Sequence, residues 1–346
     1  MSAATVSAPS GSNVGGVVVG AYAATPRPLK GNWEAQENYL QDVLRLPGVT
    51  GLELPWYQSD FLPDEDGAIA LMERGGSHVI TMVAGTMAKA AASGNTYGLA
   101  SDSAEGRKAA LRDLRHVRDV VARVNDGAGA GRVAAVEIQS APHPMMAAFS
   151  PDYDPTSTVH FAAQCYGDSV SEIASWDWSG ARLLLEHCDS AFGKAPQKGL
   201  LPLDAELEIA QEIRDSSSAA ATSVDIAINW GRSALEGHSA ELAIEHIRKV
   251  SRAGLLGSVF FSGTADHETV YGSAWADTHT PFVIPESADS PTSEVMTTLL
   301  DQSAREAALA ECAAVPNVLI GLKVQSPPSF DKEEVLAELR AHLTLL

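Results

Sequence analysis

The feature that most limits the fold is an alternation, repeated eight times, between short apolar segments and amphipathic stretches. The apolar segments are nearly continuous runs of aliphatic and β-branched residues, which is typical of parallel strands buried on both faces. We predict strands at Val17–Ala23, Gly51–Tyr57, His78–Ala84, Ala134–Gln139, Ala181–His187, Val224–Trp230, Ser258–Ser262 and Val318–Val324. Parallel strands need long crossover connections, so helices are expected between them.

The stretches between the strands carry apolar residues at three- and four-residue steps. In Ala104–Asn125, for example, Leu114, Val117 and Val121 share one face, which predicts a helix packed against the sheet. The same spacing predicts helices over Trp33–Leu46, Asp204–Arg214, Ala240–Ala253, Glu294–Ala314 and Lys332–Leu346. The alternation as a whole predicts an α/β fold, the eight-stranded parallel (β/α)8 TIM barrel.

The connections differ at the two ends of the predicted strands. Several segments that lead from strand to helix are long, namely Gly85–Asp102, Ser140–Asp168 and Gly263–Thr292. Long loops at the carboxyl ends of barrel strands are typical of an active-site face. No linker divides the chain, so we predict a flexible, Ser/Ala/Gly-rich tail over residues 1–16 and a single TIM-barrel domain over 17–346.

Composition and charge exclude several classes of partner. A formal net charge of −20 would repel both the phosphate backbone of nucleic acid and an anionic membrane surface. No apolar run is long enough for a membrane-spanning helix. The three cysteines are widely spaced and form no CxxC pair, which argues against a disulfide framework and a structural zinc site and favours the cytoplasm.

Polar side chains end four of the predicted strands. These are Glu137, Glu186, Asn229 and Lys323. A carboxylate at the end of a buried strand costs free energy unless it is paired, bound to a metal or exposed to a wet pocket. We therefore take Glu186, Glu137 and Lys323 as catalytic candidates, since barrel active sites lie at this end of the strands. The alternative is a buried ion pair that only orders the barrel, with Lys323 as counter-ion.

Aromatic and polar residues near the same strand ends are candidates for binding a substrate. Flat apolar surfaces beside fixed polar groups suit a sugar ring, although each aromatic residue alone is explained as well by packing. Strand alternation turns His187 away from the barrel axis, so packing in the helix layer is an equal alternative for it. The candidates are Asn229, Trp230, Arg232, His187, Tyr57, Trp275, Asp277 and His279.

The barrel pattern with Glu137 and Glu186 ending strands four and five resembles the xylose-isomerase-like superfamily of sugar isomerases, epimerases and related lyases. A closer resemblance, over nearly all of residues 17–346, is to a bacterial family known only as a domain of unknown function. Its motifs are Leu99-Ala-Ser-Asp102, Val136-Glu-Ile, Glu186-His-Cys-Asp189, Ile228-Asn-Trp-Gly-Arg-Ser233 and Ser262-Gly263, with Trp275, Asp277 and His279.

The chain departs from the metal-dependent members of that superfamily. The resemblance implies four metal ligands at the ends of strands five to eight, where this chain has Glu186, Asn229, Ser262 and Lys323. Only Glu186 is a strong ligand for a hard cation, and the lysine ammonium repels one. We therefore expect no cofactor and no complete metal site, and leave open a single divalent ion at Glu186 and Glu137.

The residues and the resemblance together predict a sugar isomerase or epimerase that abstracts a proton next to the carbonyl group of a non-phosphorylated sugar. Glu186 or Glu137 is the expected base, and Lys323 is expected to hold the enolate oxygen. If burial lowers the pKa of Lys323, a Schiff base is a second role for it. A phosphorylated substrate is disfavoured because the segment Gln325–Ser329 lacks the glycines of a barrel phosphate site.

Three alternatives stay open at this point. The first is a lyase that acts by β-elimination on an oxidised keto glycoside. The second is a glycoside hydrolase, which also uses two carboxylates. The third is a non-catalytic sugar-binding or partner subunit. The sequence leaves the oligomeric state open, and both a homo-oligomer and a complex with a small partner subunit are compatible with it.

Overall fold

Eight short parallel strands close into a barrel in chain order, which confirms the predicted fold. The computed structural model describes residues 16–57, 62–145, 154–194, 196–216, 222–282 and 298–346. The first strand pairs with both the second and the eighth, so the sheet has no free edge. The strands are β1 Val17–Val19, β2 Val49–Pro55, β3 His78–Thr81, β4 Val133–Ile138, β5 Arg182–His187, β6 Val224–Asn229, β7 Leu256–Phe261 and β8 Leu319–Leu322.

Helices surround the barrel and cover its outer face. They are α1 Trp33–Leu44, α2 Glu65–Arg74, α3 Val83–Ala92, α4 Ala104–Ala128, α5 Pro155–Ala174, α6 Leu203–Ser216, α7 Trp230–Gly237, α8 Ala240–Arg252, α9 Gln302–Ala313 and α10 Lys332–Leu343. A side-chain oxygen of the preceding residue accepts a backbone N–H at the start of many of these helices, as Asn229 does for α7. In the described part of the chain, no helix is both long and apolar enough to cross a membrane.

The barrel interior is built in layers. Alternate side chains of each strand point inward, and an apolar layer is formed by Val18, Val79, Ala135, Leu184, Ala227 and Phe260. Two residues further along four of these strands, the inward positions carry polar groups, namely Glu137, Glu186, Asn229 and Ser262. The apolar layer therefore closes the barrel beneath a polar layer at the carboxyl ends of the strands.

The outward-facing residues of the strands form the main hydrophobic core together with the helices. Leu183 and Leu185 of β5 and Ile226 of β6 are fully buried there, and Ile213 of α6 and Ile247 of α8 belong to the same cluster. A strand buried on both faces has apolar residues at consecutive positions, because one face lines the barrel and the other meets the helices. This explains the continuous apolar runs in the sequence.

The structure corrects several predicted boundaries. β1 ends at Val19 and β3 at Thr81, earlier than predicted, and α3 at Val83–Ala92 takes the end of the predicted strand His78–Ala84 and the first part of the predicted loop Gly85–Asp102. The sequence of α3 consists mostly of small and apolar residues, so it shows no clear polar face to mark a helix. Parts of the other predictions lie outside the described residues: residues 1–15 of the tail, 146–153 and 283–292 of the two other long loops, and 294–297 of the helix Glu294–Ala314.

Candidate active site

A buried ion pair joins the second and eighth strands at the carboxyl end of the barrel. Lys323 Nζ donates to Glu53 Oε1 at 2.7 Å, and the hydroxyl of Tyr22 donates to the same oxygen at 3.4 Å. Gly20 makes room for the pair, because a Cβ atom there would lie 2.5 Å from Glu53 Oε2 and 3.0 Å from Lys323 Cγ. The carboxylate and Tyr22 raise the pKa of Lys323 although burial opposes it, so the side chain stays an ammonium ion.

Glu186 is held as an anion by two donors. Its Oε1 accepts from Arg232 Nη1, and its Oε2 accepts from Gln139 Nε2 at 2.7 Å. Burial alone would raise the pKa of Glu186, but Arg232, Lys323 and Gln139 outweigh it and hold that pKa below the usual range. Glu186 therefore carries a negative charge at neutral pH in a fixed orientation.

Glu137 lies in the same layer but, unlike Glu186, receives no hydrogen bond from the described residues. Both of its carboxyl oxygens are buried and have no hydrogen-bond partner among the described residues. Burial, together with the charges of Glu186 and Glu53, raises the pKa of Glu137 well above its ordinary value. Two carboxyl groups at one site thus have pKa values shifted in opposite directions, upward for Glu137 and downward for Glu186.

The segment that follows β7 closes over these groups. Asp277 Oδ2 accepts from Arg232 Nε at 3.2 Å and from Lys198 Nζ. His279 Nδ1 lies 2.7 Å from Ser262 Oγ and 3.6 Å from Asp277 Oδ1. Burial lowers the pKa of His279 to about 3, so its ring is neutral. Glu137 and Glu186 are 0% and 3% exposed, which leaves them shut off from solvent in this state.

Asn229 and Trp230 link the barrel interior to α7. Asn229 Oδ1 accepts the backbone N–H of Arg232 at 3.3 Å and so caps the helix that carries this arginine. Asn229 Nδ2 is buried and has no partner in the described part of the chain. Trp230, the first residue of α7, is fully buried in the outer core. Asn229 therefore offers a free donor to the site, whereas Trp230 packs behind it.

Three predicted substrate-binding residues lie elsewhere. Tyr57 packs toward α3 and α4, where its hydroxyl donates to the carbonyl of Asp113 at 3.2 Å and Lys89 Nζ lies 3.6 Å from its ring centroid. Trp275 stacks on His238 with ring centroids 4.1 Å apart.

His187 points into the helix layer, which is the packing alternative that strand alternation predicted for it. Its Nδ1 lies 2.7 Å from Glu206 Oε2 and its Nε2 lies 3.2 Å from Glu236 Oε2. The physical reason is strand alternation, because the neighbouring Glu186 occupies the inward position of β5.

Sequence reasoning missed four residues of the site, which are Tyr22, Glu53, Gln139 and Lys198. Glu53 gave a usable signal, because it is a carboxylate inside a predicted apolar strand, as Glu137 is. Gln139 follows β4 two residues after Glu137, so alternation predicts that it points the same way. Lys198 and Tyr22 lie outside the strands, and only the folded chain brings them to the site.

The donor set at the barrel mouth does not fit a divalent metal ion. Lys323 brings an ammonium group to the position of a fourth ligand, and the guanidinium of Arg232, which donates to Glu186, adds a second positive charge that would repel a cation there. The oxygen of Asn229 is turned toward α7.

Outside the barrel interior, a different group could hold a metal ion: His187, Glu236 and His246 place one ligand atom each within 4.8 Å of one another.

The motifs indicated membership of a family of unknown function, and a comparison with protein families tests it. The family described as Domain of unknown function (DUF4862) matches residues 18–337. The chain belongs to the DUF4862 family. An uncharacterised protein of Salmonella typhimurium is similar to this DUF4862 chain, with 34% identity over 268 residues that cover 77% of this chain and 78% of the relative.

Solved structures similar to this DUF4862 protein include sugar epimerases. The 3-keto-D-glucoside 4-epimerase of E. coli matches with a TM-score of 0.56 and 12% identity, covering 96% of this chain and 100% of that one. The D-psicose 3-epimerase of Clostridium cellulolyticum H10 matches with a TM-score of 0.53 and 15% identity, covering 96% and 97%. At these identities the likeness shows that the chain shares the fold of these two proteins.

Proposed function

We propose that this protein is a sugar isomerase or epimerase that moves a proton at the carbon next to a carbonyl group. The observation that carries the proposal is the pair of carboxyl groups in one buried layer beside the ammonium of Lys323: Glu186 is held by Arg232 and Gln139, whereas Glu137 has no partner among the described residues and a raised pKa. Proton transfer at such a carbon needs a base, an acid and a positive charge near the developing enolate oxygen. The barrel mouth offers all three.

In this mechanism Glu186 removes the proton and Glu137 returns one to the other face of the carbon. Lys323 holds the enolate oxygen as a fixed ammonium ion, because Glu53 keeps it charged. A Schiff base at Lys323 is disfavoured, since that role needs a lowered pKa and the pKa is raised. Asn229 Nδ2 and Glu137 are free to contact substrate hydroxyl groups.

A non-phosphorylated sugar is the substrate class that suits this site. The cations of the site are Arg232, Lys198 and Lys323, and each is already paired with a carboxylate. A phosphate group would have to break these pairs, whereas neutral hydroxyl groups would not.

β-Elimination by a lyase is a second candidate, favoured by the raised pKa of Glu137. Elimination starts with the same proton removal, and Glu137 would then protonate the departing oxygen instead of the carbon.

We further propose that the protein works in the cytoplasm, because Cys165, Cys188 and Cys312 are all buried and form no disulfide, as expected in a reducing compartment.

An exchange experiment in deuterated water tests the proposal. The protein is incubated with a panel of free keto sugars and 3-keto glycosides, and proton and carbon NMR follow each substrate. We expect deuterium next to the carbonyl group together with an epimeric or isomeric product. An unsaturated product with a released aglycone would identify the lyase instead. Hydrolysis of glycosides without deuterium incorporation, or binding without any reaction, would reject proton transfer.

A further inference from the structure

A compact group of metal-ligating side chains lies behind the barrel wall, separate from the proposed active site. His187 at the end of β5 points outward, Glu236 lies on α7 and His246 lies on α8. We call these three residues the outer triad. The imidazole nitrogens and the carboxylate oxygen are within 4.8 Å of one another. Two histidines and one glutamate are a ligand set that zinc commonly takes in proteins.

The spacing in the outer triad suits a small tetrahedral ion. His187 Nε2 and Glu236 Oε2 are 3.2 Å apart, and two ligands at zinc–nitrogen and zinc–oxygen distances in a tetrahedron are about 3.3 Å apart. The rings of His187 and His246 are nearly perpendicular, with centroids 5.1 Å apart. A ligand atom of His246 lies within 4.8 Å of those of His187 and Glu236.

The ligands of the outer triad are oriented by further hydrogen bonds. Glu206 Oε2 lies 2.7 Å from Nδ1 of His187, and Ser140 Oγ donates to Glu206 Oε1 at 2.7 Å. Ser233 Oγ lies 3.1 Å from Nδ1 of His246. These contacts leave Nε2 of each histidine as the ligand atom. A carboxylate on the far nitrogen of a ligating histidine is the usual support of a zinc site, because it fixes the tautomer and the ring.

Two carboxylates of this region lie beside the proposed ligand atoms. Glu206 Oε2 and Glu236 Oε2 are 2.7 Å and 3.2 Å from the two ring nitrogens of His187. A divalent ion held by the outer triad would lie next to these negative charges, which favours its binding.

We propose that His187, Glu236 and His246 bind one divalent transition-metal ion of the zinc class, and that this ion has a structural role. β5 carries both Glu186 and His187, and α7 carries both Arg232 and Glu236. The ion would tie together the two elements whose inward side chains form the Glu186–Arg232 contact. The site does not depend on the proposed reaction, because its three ligands face the helix layer and not the barrel interior.

Metal binding to the full chain, stripped with a chelator and freed of any histidine tag, tests the proposal. We expect zinc titration by calorimetry to give one ion per chain. Cobalt(II) should give the intense visible absorption of a tetrahedral ion. Zinc at about 100 times its dissociation constant should raise the melting temperature by about 4 °C.

Matched variants decide where the ion binds. His246→Gln and Glu236→Gln should each lose stoichiometric zinc and the cobalt spectrum while keeping the wild-type melting temperature in chelator. His160→Gln replaces an exposed histidine of α5 and should bind as the wild type does. Absence of stoichiometric zinc on the wild type would overturn the proposal. So would zinc that persists in both triad variants and disappears in Glu137→Gln, since the ion would then lie in the barrel mouth.

Discussion

Lys323 and Glu53 form an ion pair that is almost completely shut off from solvent, with side chains 1% and 0% exposed. The pair joins β8 to β2, across β1, at the carboxyl end of the barrel. Removing both charges from water costs several kcal/mol per ion, and only close mutual contact compensates for it. The sequence left open that Lys323 is only a counter-ion of Glu137 and Glu186, and the structure pairs it with Glu53 instead.

Breaking this pair from one side should destabilise the protein more than removing both partners. Lys323→Met and Glu53→Gln should each lower the free energy of unfolding by about 3–5 kcal/mol. The first change leaves a buried carboxylate alone and the second leaves a buried ammonium alone. The double variant should lose much less than the sum of the two, as urea unfolding can measure. Strict additivity would show that the pair contributes no coupling.

Glu338 on α10 should make stability depend on pH. Its side chain is buried, and burial raises its pKa from 4.5 to about 7. The folded state therefore binds the proton more tightly than the unfolded state, so stability falls as the pH rises from about 4.5 through 7. Glu338→Gln should stabilise the protein more at pH 8 than at pH 5, by about 2 kcal/mol in urea unfolding. The exposed Glu333→Gln on the same helix is the control, and an equal response of both variants would contradict the raised pKa.

The barrel could be predicted from the sequence because the pattern of a buried parallel strand is repeated eight times and has a direct physical cause. Strands buried on both faces need continuous apolar runs, and eight of them are visible in the printed sequence. The polar strand ends at Glu137, Glu186 and Asn229 were readable for the same reason, since a charge or an amide interrupts each run. Strand alternation also gave the outward direction of His187.

The partners of these groups could not be predicted, because they come from loops and distant strands. Lys198 meets Asp277 over a sequence separation of 79 residues, and Lys323 meets Glu53 over 270 residues. No local pattern encodes such contacts. Trp275 and Tyr57 were predicted to bind substrate because they are aromatic residues near strand ends. In the structure each has a packing partner of its own, His238 for Trp275 and Lys89 for Tyr57.

Asp277 should hold the segment after β7 in its closed position. It accepts from both Arg232 and Lys198, and hydrogen bonds between charged groups are the stronger kind. Asp277→Asn should speed hydrogen exchange of backbone amides in residues 263–282 by at least about tenfold, as mass spectrometry can follow. Asp266→Asn, an exposed change in the same segment, should leave exchange unchanged. Equal exchange in the wild type and in Asp277→Asn would remove the closing role of this residue.

Replacing each of the two carboxyl groups of the barrel mouth should affect turnover and deuterium exchange in a different way. Glu186→Gln should lower turnover by at least about 10²-fold and should abolish deuterium exchange, because the base that removes the proton is lost. Glu137→Gln should also block formation of the epimer. It should retain exchange at the carbon, however, because Glu186 can still remove a proton and return one to the same face.

The conservative shape of glutamine makes these two variants suitable for comparison. Glu137→Gln breaks no hydrogen bond or ion pair among the described residues, so it should keep its fold, and melting temperatures check both variants before kinetics. Glu105→Gln, on the exposed start of α4, should turn over as the wild type does. If Glu137→Gln loses exchange while Glu186→Gln keeps it, the assigned roles are reversed and Glu137 is the base. Full activity in both variants would reject proton transfer by these carboxyl groups altogether.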